Sequence, residues 1–368
     1  MKKPHRLLYA LVLSLALGGC VFDDLSHCPV DSTGFLSLSL SYASDTEEEG
    51  RTLPLERADF YVFDSHNLFV CPLSDTSGPF TAEREYRLEL PEGTYTVVSW
   101  ANLHERLSVS PEPFIPGQTT LDEARLRLAA IPLPAETQTR ALATNSGTAV
   151  PATADDTGEL PKVDGVDKFL YHGMEESVRV HTGQTARAVI RLKRDTKTIN
   201  LSVRYTRADG TPCDDPSHHP DACIRTADGI LEFDNSLSPC PPFLLGSAQR
   251  DDDIPNGFDA AFHKMTLRLD EPVEPEIILA GPGNPDNPAN TDNPANKAEA
   301  PAPAETVYRA SLMKWLKGTG YDTQEKLDAT HEYLVELRFT CPHGGGSTHT
   351  TLRIFVNGWE YVPMEDDL

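Results

Sequence analysis

"FLSLSLSY", residues 35–42, sets leucine at 36, 38 and 40 and tyrosine at 42 on one side of an extended chain, with serines on the other. A period of two is the mark of a strand with one buried and one wet face. The same alternation returns in "YRLEL" (86–90), "ARAVIRL" (186–192), "TINLSVRY" (198–205), "MTLRL" (265–269) and "TTLRIFV" (350–356). "ADFYVFDSHNLFV" (58–70) reads as a strand, a polar turn over Asp64–Asn67 and a return strand. "PEGTYTVVSW" (91–100) is a turn feeding a strand that ends at Trp100. Thirty prolines and 24 glycines punctuate the chain, which suits short strands and loops rather than helices.

One helix is predicted, in "VYRASLMKWLKG" (307–318), where Tyr308, Leu312, Trp315 and Leu316 share a face and Gly318 stands ready to end it. "TLDEARLRL" (120–128) opens with capping-box spacing from Thr120 to Glu123 and also alternates as a strand would, so both readings stand. Many short strands broken by turns predict β-sandwiches, and 368 residues suit two of them in tandem. The expected fold class is therefore all-β, two β-sandwich domains with a short helix in the second. The expected division is a leader over 1–19, a tether over 20–34, a first sandwich over 35–175 and a second over 176–368. Two stretches are too poor in large apolar side chains to offset the entropy of ordering and are expected to be mobile: about 134–165, and 281–305 with Asp-Asn-Pro-Ala-Asn twice.

The leader has a basic start (Lys2, Lys3, Arg6) and an apolar run from Leu7 to Leu17 broken only by Ser14, followed by Gly18, Gly19 and Cys20. Such a run is too short for a bilayer-spanning helix, which takes about 20 residues, and fits a secretory signal. Small residues directly before a cysteine are the pattern of a bacterial lipoprotein signal, with Cys20 as the acylated first residue of the mature chain. A net charge of −24 sets nucleic acid and anionic lipid surfaces aside as partners.

Export implies an oxidising compartment, so the six remaining cysteines are candidates for disulfides. Cys213 and Cys223 enclose the polar loop "CDDPSHHPDAC", which a bridge could close; free thiols are the alternative. Cys28, just after the lipid site, and Cys71, after the second strand, form a second possible pair that would tie the tether to the sandwich. Zinc held by His218, His219 and those two loop cysteines is disfavoured, because adjacent histidines diverge and the spacing fits no standard finger. No metal site and no cofactor are expected.

The search for catalysis finds nothing. "HGGGS" (343–347) has no G-x-S-x-G nucleophile elbow to serve and reads as a hairpin turn. The acidic runs "DTEEEG" and "QRDDDIPNGFD" lack the spacing of a calcium loop. His172 stands alone and is expected to pack or hydrogen-bond. The chain reads as a non-enzyme.

Several stretches carry a resemblance. "CVFDDLSHCP" (20–29), "FYVFD" (60–64), "GTYTVVSWANL" (93–103), "LYHG" (170–173), "KRDTKTINLSV" (193–203) and "VNGWE" (356–360), in this order, resemble the FimB-type fimbrial anchor subunits of Bacteroidales, the anchor and length-regulator family of type V pili. The resemblance implies transthyretin-like (Greek-key) sandwiches and attachment to the outer membrane through the lipid on Cys20. It also implies a place at the base of a fimbrium, where pilin subunits are partners by β-strand exchange. Alternatives are a tip or accessory adhesin of the same pilus and a surface glycan-binding lipoprotein. Glycan sites usually present aromatic platforms, yet Trp100, Trp315 and Trp359 all read as core residues.

Overall fold

The computed structural model describes residues 32–42, 55–80, 84–132, 160–207, 209, 211–212, 220–254, 256–280, 306–340 and 351–363. The opening stretch is a strand, β1 (Thr33–Tyr42), with Leu36, Leu38 and Leu40 buried. The polar turn folds as expected between β2 (Ala58–Asp64) and β3 (Phe69–Asp75), where the Asp64 carboxylate accepts from the backbone N–H groups of His66 and Leu68. β4 (Glu85–Pro91) and β5 (Gly93–Ala101) follow. With β9 (Tyr171–Val180) and β10 (Thr185–Arg194) these strands form a seven-stranded sheet in the order β3-β2-β5-β9-β10-β1-β4.

That sheet folds over itself at β10. Thr185–Leu192 run parallel to β1, while Lys193 and Arg194 pair with β9. The β1 leucines thereby face Phe60, Val62 and Val97 across a sandwich core.

The split expected at 175/176 falls inside β9. β9 pairs along β5 and β10 along β1, so this hairpin belongs to the first sandwich and the chain changes sheet between Arg194 and Lys197. The last residues of the stretch expected to be mobile, 160–165, are part of the fold. β8 (Lys162–Asp164) puts Val163 into the core and pairs parallel with β14 (Phe243–Gly246). Residues 134–159 and 281–305 lie outside the described residues.

The second sandwich has a six-stranded sheet, β15-β16-β11-β19-β20-β21. Its strands are β11 (Lys197–Thr206), β15 (Gln249–Asp251), β16 (Gly257–Lys264), β19 (Glu332–Thr340), β20 (Thr351–Val356) and β21 (Trp359–Tyr361). The facing five-stranded sheet runs β18-β17-β12-β14-β8, with β12 (Asp221–Thr226), β17 (Glu276–Ala280) and β18 (Thr306–Ser311). Ile199, Leu201 and Val203 of β11 share one core with Ile224 of β12 and Ile277 and Leu279 of β17. A small sheet of β6 (Leu107–Ser110), β7 (Arg125–Leu128) and β13 (Ile230–Glu232) extends the same core, joining Phe63, Phe69 and Trp100 of the first sandwich to Phe233 beyond β13.

The helix is shorter than its periodicity predicts. Tyr308 belongs to β18, paired with Leu279, and α1 covers Leu312–Gly318 only. Ser311 makes the switch, its hydroxyl accepting from the Lys314 N–H as an N-cap. A second short helix, α2 (Gln324–Ala329), follows. Both readings of "TLDEARLRL" are realised in succession: Leu121–Glu123 make a single 3-10 turn, with the Glu123 carboxylate accepting from the Thr120 N–H, and β7 follows.

Candidate strand-docking interface

The candidate site residues fall into three places: the cysteines, the segment between the two sandwiches, and the end of the six-stranded sheet. Cys20, the expected lipid site, lies outside the described residues, as do Cys28, Cys213, Cys341, His218, His219 and the glycine run at 344–346. Cys71, Cys223 and Cys240 form no disulfide among the described residues. Burial pushes the Cys223 thiol up to about 11 and the Cys240 thiol to about 12, which keeps both protonated at neutral pH.

The joint is the segment Lys193–Lys197. Its polar side chains are all engaged. Lys193 pairs with Asp328, the Arg194 guanidinium lies 3.4 Å above the Phe169 ring, and the Thr196 hydroxyl accepts from the Leu170 N–H at 2.9 Å. Asp195 accepts from Asn235 at 2.7 Å, and burial pushes its carboxyl up to about 6. Lys197 donates to the carbonyls of Asp328 and Thr330 at 2.8 and 2.9 Å. The adjoining "LYHG" and "SWANL" stretches pack here too. His172 hydrogen-bonds the Phe233 carbonyl at 3.0 Å and lies against Trp100, ring centroids 4.5 Å apart. Burial lowers its pKa to about 4, so His172 is neutral and structural. Asn102, at φ +64°, accepts from the Glu56 N–H and donates to the Phe169 carbonyl.

The edge is the end of the six-stranded sheet. Asn357 and Gly358, at φ +49° and +84°, form a two-residue hairpin between β20 and β21, the turn that Asn-Gly favours. Asn357 holds it in place, accepting from the Leu334 N–H at 2.7 Å and donating to the Tyr321 hydroxyl. Tyr361 packs on Gly318, where an added Cβ would meet its ring at 2.5 Å. Trp359 does not join the core. It is 72% exposed, as is Val362, because the tight turn leaves the indole at the tip of a three-residue edge strand beyond the cover of α1. The expectation that all three tryptophans are core residues holds for Trp100 and Trp315 alone. Among the described residues β21 is the last strand of its sheet, with no strand paired on its outer side.

Among the described residues no group of three or more His, Cys, Asp or Glu is placed to hold a metal ion, and no helix is long and apolar enough to cross a membrane. No curated protein matches the chain. Solved structures do. A candidate polysaccharide-binding protein of Bacteroides thetaiotaomicron superposes with a TM-score of 0.63 at 18% identity, over 91% of this chain and 100% of that one. The fimbrial anchor protein Mfa2 of Porphyromonas gingivalis does so with a TM-score of 0.60 at 13% identity, over 89% and 98%. A candidate adhesin of Bacteroides ovatus gives 0.60 at 18% identity, over 91% and 96%. At such identities the likeness speaks for the fold. The family assignment comes from the sequence, in which residues 25–364 match the model of the fimbrillin-A associated anchor proteins. With its folded joint and open sheet edge, this chain belongs to the family of fimbrillin-A associated anchor proteins Mfa1 and Mfa2, a family of structural fimbrial proteins and not of enzymes.

Proposed function

We propose that this chain is a lipoprotein of the outer membrane that holds a fimbrium at the cell surface, and that it nucleates the fimbrium or limits its length by β-strand exchange with a pilin subunit. The family match over 25–364 carries the reading, and Leu-Gly-Gly-Cys at 17–20 supports the lipid. From Cys20 to Thr33, at up to about 3.6 Å per residue, the tether reaches roughly 45 Å. That length holds the first sandwich close to the membrane. The docking edge lies at β21, where backbone groups of a pilin strand would continue the ladder and Trp359 and Val362 would be covered.

The double substitution Trp359→Ala, Val362→Ala tests the edge. Both side chains are exposed, so the melting temperature should stay within a degree or two of the parent. Aromatic anchors at the centre of an interface contribute about 2 kcal/mol or more, so capture of pilin should weaken about thirtyfold or further. Parental pilin capture by this variant would sink the edge as the docking site. The exposed indole is also what a surface glycan-binding lipoprotein would present, and polysaccharide in place of pilin in the same pull-down would decide for that reading.

The disulfide between Cys28 and Cys71 is part of the proposal. Cys71 sits half-buried on β3 opposite Val62, and closing a loop of about 40 residues would add roughly 3–4 kcal/mol. Peptide mapping without reductant is expected to recover the two cysteines joined. Recovery of both as free thiols ends it. The same map reads the Cys213–Cys223 pairing.

A further inference from the structure

Lys264, at the end of β16, is fully buried, and two buried carboxylates share its pocket. Its Nζ lies 3.2 Å from Asp228 Oδ1 and 3.4 Å from Glu271 Oε2, and it donates to the Thr226 hydroxyl. That hydroxyl touches the whole group, standing 2.8 Å from Asp228 Oδ1 and 3.3 Å from Glu271 Oε2. The outer carboxylate oxygens are pinned by backbone, Asp228 Oδ2 by the Thr266 N–H and Glu271 Oε1 by the Arg268 N–H, both at 3.1 Å. The side chains of Asp228 and Glu271 are each 1% exposed, and the neighbours Ala227, Ile230, Met265 and Leu267 are buried. Thr226 closes β12, so the pocket joins the ends of strands from the two facing sheets.

We infer that Lys264 and Asp228 condense to an intramolecular amide between Nζ and Cγ, with Glu271 and Thr226 carrying the proton, so that the second sandwich is stapled covalently from sheet to sheet. The chemistry needs a neutral amine, a neutral carboxyl and a proton carrier, held dry and in contact. In the reacting form the ammonium proton has crossed to an Asp228 oxygen, 3.2 Å away, leaving amine and acid. The lone pair of Nζ then attacks Cγ, one bond beyond the oxygen it already touches. The Nζ–Cγ bond forms as the bond from Cγ to its hydroxyl breaks. A proton from nitrogen passes through the Thr226 hydroxyl and Glu271 Oε2 to the departing oxygen, which leaves as water. Amine and acid become amide and water, with no oxidant, reductant or cofactor. Burial pushes the Glu271 carboxyl up to about 7, so near neutrality it can both hold and release that proton. Groups fixed at this separation react as though at concentrations of about 10⁵ M or more, which draws the condensation forward against the surrounding water. The product also replaces two buried ionisable groups, costly to desolvate, with one amide.

This inference does not rest on the anchor role. Its test is a peptide map of the full chain purified from cells, reduced and digested. The expected result is one branched peptide carrying Lys264 and Asp228, lighter than the two separate peptides by one water. Recovery of the two as separate, unmodified peptides overturns the inference. Asp228 precedes Gly229, so dehydration to a succinimide would lose the same mass. That product leaves the peptides separate and survives Lys264→Arg, and finding it would equally overturn the staple. Lys264→Arg keeps a cation but should abolish the branched peptide. Glu271→Gln should lower its yield tenfold or more, and an undiminished yield would overturn the role given to Glu271.

Discussion

Cys20→Ala is expected to move the protein from the outer-membrane fraction to the soluble fraction and to leave fimbriae shed into the medium. Each buried methylene of an acyl chain contributes about 0.8 kcal/mol, so several chains on one residue hold a protein firmly at a bilayer. Little else in the chain would replace them. The net charge of −24 is repelled by anionic headgroups, and no helix among the described residues is long and apolar enough to span the membrane. The substitution alters no described contact, so the soluble protein should unfold at the parental denaturant concentration. Cell fractionation with shed fimbriae counted in the medium reads the outcome. A Cys20→Ala protein that still sediments with the outer membrane would overturn the lipid anchor.

Trp100→Ala should cost about 3–5 kcal/mol, the range for deleting a large buried aromatic side chain. Trp100 is fully buried on β5, 4.5 Å from the His172 ring and 6.2 Å from Phe233 beyond β13. Its cavity would open where the first sandwich meets the small sheet that joins it to the second. Urea unfolding should therefore show an earlier midpoint for both sandwiches together, and Trp100→Phe should recover more than half of the loss. A change below about 1 kcal/mol would show that the surroundings collapse to fill the space.

The strands were largely legible because alternation is a local property. "FLSLSLSY" needs no partner to declare its buried face, and Leu36, Leu38 and Leu40 are buried as read. Pairing is not local. β1 lies beside β10, with Leu36 opposite Ala186, and nothing in either stretch names the other, so the hairpin of β9 and β10 could be read with either sandwich. Tyr308 satisfies a helical spacing and a strand spacing equally, and the N-cap at Ser311 is what separates them. Trp359 departs from the sequence expectation because residue type favours burial while its position at a hairpin tip exposes it. The buried group of Thr226, Asp228, Lys264 and Glu271 was invisible in sequence. It forms only when β12 and β16, on different sheets, bring their ends together.

β1 enters the first sandwich from the side of the tether and lies between a parallel neighbour, β10, and an antiparallel one, β4. With the proposed lipid on Cys20, a pull would enter β1 at Thr33, and a load along the strand lies at right angles to the hydrogen bonds on both of its flanks. Those bonds are loaded in shear and share the force, whereas a hairpin pulled open from one end surrenders its bonds singly. Drawing β1 out would also drag three leucines through the core at once. On the proposed lipid anchor, flow tugging at a filament metres the load onto this one strand, and the first sandwich would act as a clamp that yields as a whole or not at all.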